Sequence, residues 1–139
     1  GGLIGGIGTY LKSVDPSAEI IAASPKNSCV MYKSLEAGKV LDLPSEPTLS
    51  DGTAGGVEED SITFPICQDV IDHFVLLSED EIAEGLRIGL MQHHIMMEGA
   101  AGTSIAVFLK EKERYKGKKV VIVICGANIS QEVLRQVLS

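Results

Sequence analysis

Residues 73–81 read HFVLLSEDE, and this stretch decides the fold class. Residues 73–77 are bulky and largely apolar, as in a strand that is buried on both faces. Ser78 and Glu81 then have the spacing of a capping box, in which the serine caps a helix and the glutamate reaches back to the free amides. The acidic first turn also suits the positive end of the helix dipole. The sequence therefore predicts a buried strand that leads directly into a helix.

Strands and helices continue to alternate toward the carboxyl end. The helix that starts after Ser78 keeps one apolar face, formed by Ile82, Leu86, Leu90, His93 and Met97. Residues 99–112 are apolar nearly all round, which predicts a buried helix. Residues 120–124 read VVIVI and predict an interior parallel strand, with a loop at 125–128. Ser130 is predicted to cap a last helix that runs through Leu138.

The same alternation is present upstream of residue 73. The predicted elements are a helix at 3–13, a buried strand at 20–23, a helix at 29–37 stopped by Gly38, a loop at 43–57 and a short helix at 64–70. A loop as long as 43–57 is usually functional in a compact domain. This order predicts an α/β fold, a three-layer sandwich in which helices cover a mostly parallel sheet.

Composition excludes several classes of function. The chain has 139 residues, is 45% hydrophobic and 22% charged, and carries a net charge of −7, which suits one globular domain. Its one basic cluster, residues 110–119, is interleaved with Glu111 and Glu113, so we expect no nucleic-acid partner. No apolar run reaches the length of roughly 18 residues typical of a membrane span, so we expect no membrane partner.

Cysteines and histidines give no metal-binding pattern. Cys29, Cys67 and Cys125 are far apart, and without a CxxC pair a zinc site is not expected. Their odd number suggests a reducing, cytoplasmic location. Adjacent residues on a helix point about 100° apart, so His93 and His94 cannot share one metal ion. The sequence therefore predicts no metal site.

The chain opens on two glycines that precede a predicted helix. Gly1 and Gly2 could form an anion seat, because small residues let a phosphate approach the amides at a helix N-terminus. Close packing of the helix on a sheet is the equally good alternative. The spacing matches neither the dinucleotide fingerprint nor the Walker loop. Because such a turn normally follows a strand, we expect that strand to lie upstream of Gly1.

Two further residues are candidates for chemistry. Cys125 lies at a predicted strand end just before a helix, where a thiol is accessible for chemistry; a small buried hydrophobe is the alternative. Glu98 lies in an apolar stretch rich in small residues, so its carboxylate must be paired or functional. The alternative for Glu98 is an acid that merely favours a helix N-terminus.

Four motifs in a fixed order carry a resemblance to a known family. The motifs are GGLIGG at 1–6, SDG at 50–52, EGAAG at 98–102 and CGANI at 125–129. Together they resemble the fold-type II pyridoxal-phosphate enzymes, especially the serine/threonine dehydratases and serine racemase. The resemblance covers essentially the whole chain. It implies the large cofactor domain of that fold and pyridoxal 5'-phosphate as the cofactor.

The resemblance also implies roles for individual residues. Gly1, Gly2 and Leu3 would hold the cofactor phosphate through their amides. Gly52 and Glu98 would border the ring, and Cys125 would face the pyridine nitrogen. The family pattern often has a serine at the place of Cys125, and four glycines where this chain has two. In some relatives an acidic pair binds a divalent ion at positions that here look like Ser24 and Val30, so no such ion is expected.

Some family features have no match in the sequence. The Schiff-base lysine of the family is absent, and Lys33 lacks the arginine of that motif, so no catalytic residue is assigned. We therefore expect residues 1–139 to be the C-terminal portion of the large domain, with the lysine and the small domain upstream, and to be inactive alone. No regulatory domain is seen after the last helix, which suggests a short, catabolic type.

The resemblance implies a lyase that removes water from a small hydroxy-amino acid and releases a 2-oxo acid and ammonia. Alternatives are a related fold-type II enzyme, such as serine racemase or a hydroxyectoine-utilisation dehydratase, and a non-catalytic α/β small-molecule-binding module. A homodimer is expected for the full-length enzyme.

Overall fold

The computed structural model describes all 139 residues. The chain forms six α-helices and two strands, in this order: α1 (Gly2–Val14), β1 (Ile21–Pro25), α2 (Val30–Ala37), α3 (Thr63–Val70), β2 (His73–Leu77), α4 (Glu79–Met91), α5 (Gly99–Lys110) and α6 (Gln131–Leu138). Short 3-10 turns lie at Lys26–Ser28, Asp51–Thr53 and Lys112–Tyr115. No helix is both long enough and apolar enough to cross a membrane.

The two strands form a parallel pair, which confirms the α/β class. Ile21 lies opposite His73 and Pro25 opposite Leu77, so the carboxyl ends of both strands meet at one edge of the sheet. Just before the strands, Asp72 Oδ2 accepts a hydrogen bond from the Ile20 amide at 2.8 Å, and the Asp72 amide donates to the Ile20 carbonyl at 3.0 Å. These two bonds set the register at the start of the pair.

Helices α4 and α5 supply most of the hydrophobic core. The capping box predicted at Ser78 is present: the Glu81 amide donates to Ser78 Oγ at 3.3 Å, and the Ser78 amide donates to Glu81 Oε2 at 2.7 Å. Ser130 caps α6 as predicted, accepting from the Val133 amide at 3.2 Å. The core contains 12 buried residues: Leu49, Val75, Leu77, Ile82, Ala83, Leu86, Met97, Ala101, Ile105, Ala106, Val107 and Val137.

Helix α4 ends earlier than the apolar periodicity predicts. It stops at Met91, so the expectation that His93 and Met97 continue its face was wrong. His94 has a φ of +57°, a left-handed conformation that breaks the helix, and the Ile95 amide turns back to the Gly89 carbonyl at 2.9 Å. Met97 still reaches the core, but it does so from this returning loop, where its side chain packs over Gly89.

The segment at 120–124 is not part of the sheet. An interior strand was expected there, but the residues form no ladder with β1 or β2, and Val121 is 87% exposed. Only Ile122 packs against the core. Strand composition is not sufficient, because a strand also requires a hydrogen-bonded neighbour, and the sheet consists of β1 and β2 alone.

Asp72 gives the strand pair a defined dependence on pH. Hydrogen bonds from the Ile20 amide and from Lys12 Nζ hold the pKa of Asp72 below its ordinary value. A lowered folded-state pKa stabilises the fold above the unfolded value of about 3.9, and this contribution is lost as the pH falls through the folded pKa. Asp72→Asn should therefore cost about 1 kcal/mol or less at pH 7, because the carboxylate is partly solvated.

The difference in unfolding free energy between wild type and Asp72→Asn should shrink as the pH falls below about 4. Urea unfolding at a series of pH values measures it. Asp69→Asn is a suitable control, since Asp69 makes no hydrogen bond or ion pair through its side chain. A difference that stays constant from neutral to acidic pH would contradict the role given to Asp72.

Candidate functional site

Glu98 connects the start of α5 to the loop at 125–128. It is the residue immediately before α5, and its amide donates to the Gly126 carbonyl at 3.0 Å. Its Oε2 accepts a hydrogen bond from the Asn128 amide at 3.2 Å. The Glu98 side chain does not cap its own helix, because no side-chain capping bond is formed there. The carboxylate is therefore directed to the loop, while Glu98 also has the helix N-terminal position of the alternative interpretation.

Gly126 allows the carboxylate to lie against the loop backbone. A Cβ at Gly126 would lie 2.5 Å from both Cδ and Oε1 of Glu98, and 2.6 Å from Oε2. Real Cβ atoms essentially never approach another heavy atom this closely. The Glu98 carboxylate thus occupies the space that any larger residue at 126 would fill.

Gly52 lies on the other side of the same carboxylate. It is in the 3-10 turn Asp51–Thr53, and a Cβ there would lie 3.5 Å from Glu98 Oε1 and 3.4 Å from Ala100 Cβ. The turn is closed by Ser50, whose hydroxyl lies 2.6 Å from Thr53 Oγ1. Gly52, Glu98, Gly126 and Asn128 therefore form one group, which we term the carboxylate cluster.

Cys125 adjoins the carboxylate cluster through Gly126. The cysteine is free and exposed, so it is not the small buried hydrophobe of the alternative interpretation. The loop bearing it follows the 120–124 segment and precedes Ser130, the cap of α6. The sequence motifs at 50–52, 98–102 and 125–129 thus come together in space around one carboxylate.

The opening glycines lie at the head of α1 and contact different elements. Gly1 packs against α2 and α3: a Cβ there would lie 2.9 Å from Cys67 Sγ and from Thr63 Oγ1. Burial raises the pKa of the Cys67 thiol, which is 3.7 Å from the Gly1 carbonyl. Gly2 has open space around it, and Leu3 is 56% exposed. No hydrogen bond joins residues 1–3 to the carboxylate cluster.

The head of α1 nevertheless has the donors that a phosphate requires. The first helical hydrogen bond runs from the Gly5 amide to the Gly1 carbonyl at 2.9 Å, so the amides of Gly2, Leu3 and Ile4 have no helical acceptor. A helix N-terminus with free amides and small residues binds anions well. The head of α1 therefore fits a phosphate group, and the carboxylate cluster is a separate polar group at the start of α5.

Two contacts of the site have no signal in the sequence. The backbone of Leu49 and Ser50 lies directly against Gly99, which leaves no room for a Cβ there, and Glu79 holds the Leu49 amide at 2.7 Å. Glu79 appeared only as part of an acidic first turn. Its one partner, Leu49, is 30 residues away in a loop without periodicity, so no local pattern could identify the pair.

Comparison with known proteins agrees with this arrangement. The family described as "Pyridoxal-phosphate dependent enzyme" matches residues 1–126. L-threonine ammonia-lyase of Thermotoga maritima is 34% identical over 139 residues, which are 100% of this chain and 34% of that protein. Serine racemase of Dictyostelium discoideum is 32% identical over 143 residues, covering 100% of this chain and 44% of that protein.

Solved structures show the same likeness. The processed form of threonine deaminase isoform 2 from Solanum lycopersicum superposes with a TM-score of 0.87 and 32% identity, covering 99% of this chain and 40% of that one. The chain thus spans less than half the length of these relatives. With the family match over residues 1–126 and the α/β fold shared with threonine deaminase, the chain belongs to the fold-type II family of pyridoxal-phosphate-dependent enzymes.

Proposed function

We propose that the complete protein carrying residues 1–139 is a serine/threonine dehydratase-like lyase, which eliminates water from a small hydroxy-amino acid and releases ammonia and a 2-oxo acid. The carboxylate cluster beside Cys125 is the observation that carries this proposal. Relatives named L-threonine ammonia-lyase and L-threonine dehydratase, at 34% and 37% identity, support the reaction class.

In this proposal the cofactor lies between the head of α1 and the carboxylate cluster. The amides of Gly1, Gly2 and Leu3 would hold its phosphate, while Gly52 and Glu98 would border its ring. When bound, pyridoxal phosphate stabilises the carbanion that forms as the substrate loses its α-proton. The Cys125 side chain would face the pyridine nitrogen of the ring.

Other parts of the proposal concern the complete protein. Covalent catalysis needs a lysine amine, which we place outside residues 1–139, so this portion of the large domain should be inactive alone. The complete enzyme is proposed to be a cytoplasmic homodimer without nucleic-acid, membrane or metal partners. Within residues 1–139, no group of three or more His, Cys, Asp or Glu side chains is arranged to hold a metal ion.

Serine racemase is the second candidate, because relatives of that name are up to 32% identical to this chain. Both candidates use the same cofactor site but differ in the product. A dehydratase releases a 2-oxo acid from L-serine or L-threonine, whereas a racemase interconverts the two serine enantiomers. A non-catalytic binding module would produce neither.

Titration of the complete protein with pyridoxal phosphate and, separately, with ATP should distinguish these functions. We expect the visible absorption band of bound pyridoxal phosphate to appear, and no response to ATP. Addition of L-threonine or L-serine should then release a 2-oxo acid, measured by a coupled dehydrogenase assay. Formation of D-serine without 2-oxo acid would favour the racemase, and a protein that never takes up pyridoxal phosphate would overturn both.

A further inference from the structure

Glu79 combines one specific hydrogen bond with one unsatisfied oxygen. It is the first residue of α4, and its Oε2 accepts from the Leu49 amide at 2.7 Å. Its Oε1 is buried and has no hydrogen-bond partner, the only such side-chain atom in the chain. A buried carboxylate oxygen without a donor costs free energy. We therefore attribute the role of Glu79 to the amide that its Oε2 holds in place, and not to a gain in stability.

The group that Oε2 holds is the backbone of the long loop. Leu49 is 6% exposed, and the backbone of Leu49 and Ser50 lies against Gly99 at the start of α5. The loop is thus fastened on one side by α4 and on the other by α5. Asn27 Nδ2 also holds this loop, by donating to the Pro47 carbonyl at 2.7 Å, but Glu79 is the contact nearest to Gly52 that comes from outside the loop and from α4.

From this fastening point the chain leads directly into the carboxylate cluster. Ser50 is fully buried, and its carbonyl accepts bonds from the Thr53 amide and the Thr53 hydroxyl, both at 3.0 Å. These bonds close the turn that carries Gly52, which lies against Glu98. Only two residues, Ser50 and Asp51, separate Leu49 from Gly52.

We propose that Glu79 is a positioning residue, which fixes the Leu49–Gly52 segment and so places Gly52 and Glu98 for the cofactor ring. This inference rests on the proposed function, because the ring is the group that would use the fixed geometry. Small displacements of groups that position a cofactor or substrate reduce binding and rate strongly. Glu79 itself touches neither the carboxylate cluster nor Cys125, and it acts only through the loop.

Two variants of Glu79 and one control test the proposal in the complete protein. Glu79→Ala removes the acceptor, whereas Glu79→Gln keeps an oxygen that can accept from the Leu49 amide. Glu84→Ala is the matched control, since Glu84 lies on the same helix, is exposed, and pairs only with Arg87 at 3.1 Å. Two quantities are measured: amide hydrogen exchange at residues 49–53 and the dissociation constant for pyridoxal phosphate.

Glu79→Ala should speed exchange at 49–53 about tenfold, leave exchange in the middle of α4 and α5 unchanged, and weaken pyridoxal-phosphate binding about tenfold. Glu79→Gln should leave both quantities close to their wild-type values, and Glu84→Ala should change neither. Unchanged exchange and affinity in Glu79→Ala would overturn the positioning role, as would a uniform rise in exchange over the whole chain. If the wild type binds no pyridoxal phosphate, the proposed function fails, whereas exchange at 49–53 still decides whether Glu79 holds the loop.

Discussion

Gly99→Ala should destabilise the complete protein by about 3 kcal/mol, because the new methyl group would overlap the backbone of the long loop. A Cβ at this position would collide with the Leu49 carbonyl oxygen, and it would lie 2.5 Å from the Leu49 carbonyl carbon and 3.0 Å from Ser50 Cα. Backbone atoms cannot rotate away as a side chain can. Relief would require the loop to move off α5, which would break the bond from the Leu49 amide to Glu79.

The helical preference of alanine over glycine does not offset this overlap. That preference is worth roughly 1 kcal/mol within a helix and is smaller at a first helical position such as 99. Urea unfolding followed by circular dichroism measures the net effect. Gly56→Ala is the matched control, since a Cβ there meets nothing within 4 Å; it should change the unfolding free energy by less than about 0.5 kcal/mol. Equal stabilities for the two variants would show that the loop does not pack on α5 as described.

How far the sequence predicted this fold depends on the range of the interactions involved. The strand at 73–77 and the capping box after it are correct to the residue: the capping box is set by residues three positions apart, and the buried apolar run at 73–77 has a partner strand in β1. The end of α4 was wrong because His94 adopts a left-handed turn that the apolar period could not indicate. Residues 120–124 have the composition of a strand, but pairing depends on a neighbour that composition does not supply.

The same difference between local and long-range interactions applies to the candidate site. The motifs at 50–52, 98–102 and 125–129 were found in the sequence, and their grouping around Glu98 is now seen in space. Nothing local in the sequence could predict that Glu79 would hold Leu49, because that contact joins a helix end to an irregular loop. The placement of Gly1, Gly2 and Leu3 opposite the cluster stays a prediction, since their contacts run to α2 and α3.

Gly126→Ala should weaken pyridoxal-phosphate binding by the complete protein at least tenfold, but it should destabilise the fold by only about 1 kcal/mol, because the obstacle is the end of a flexible side chain. The added methyl group would lie within 2.6 Å of all three terminal atoms of the Glu98 carboxyl group. To avoid this methyl group, the Glu98 carboxylate must give up the hydrogen bond that it accepts from the Asn128 amide at 3.2 Å. The carboxylate would then also move away from Gly52. The two residues proposed to border the cofactor ring would therefore be displaced from each other.

Because the obstacle is a side chain, this loss of stability should be partly reversible by a second substitution, unlike that of Gly99→Ala. Glu98→Ala alone should cost about 1 kcal/mol through the lost Asn128 bond. In the double variant Gly126→Ala/Glu98→Ala the overlap is gone, so its destabilisation should fall short of the sum of the single effects by about 1 kcal/mol. Glu98→Gln has the same shape as the native side chain, so it should not relieve Gly126→Ala. Strictly additive free energies in this double-mutant cycle would show that Glu98 and residue 126 do not touch. Rescue by Glu98→Gln would show that charge, and not space, couples them.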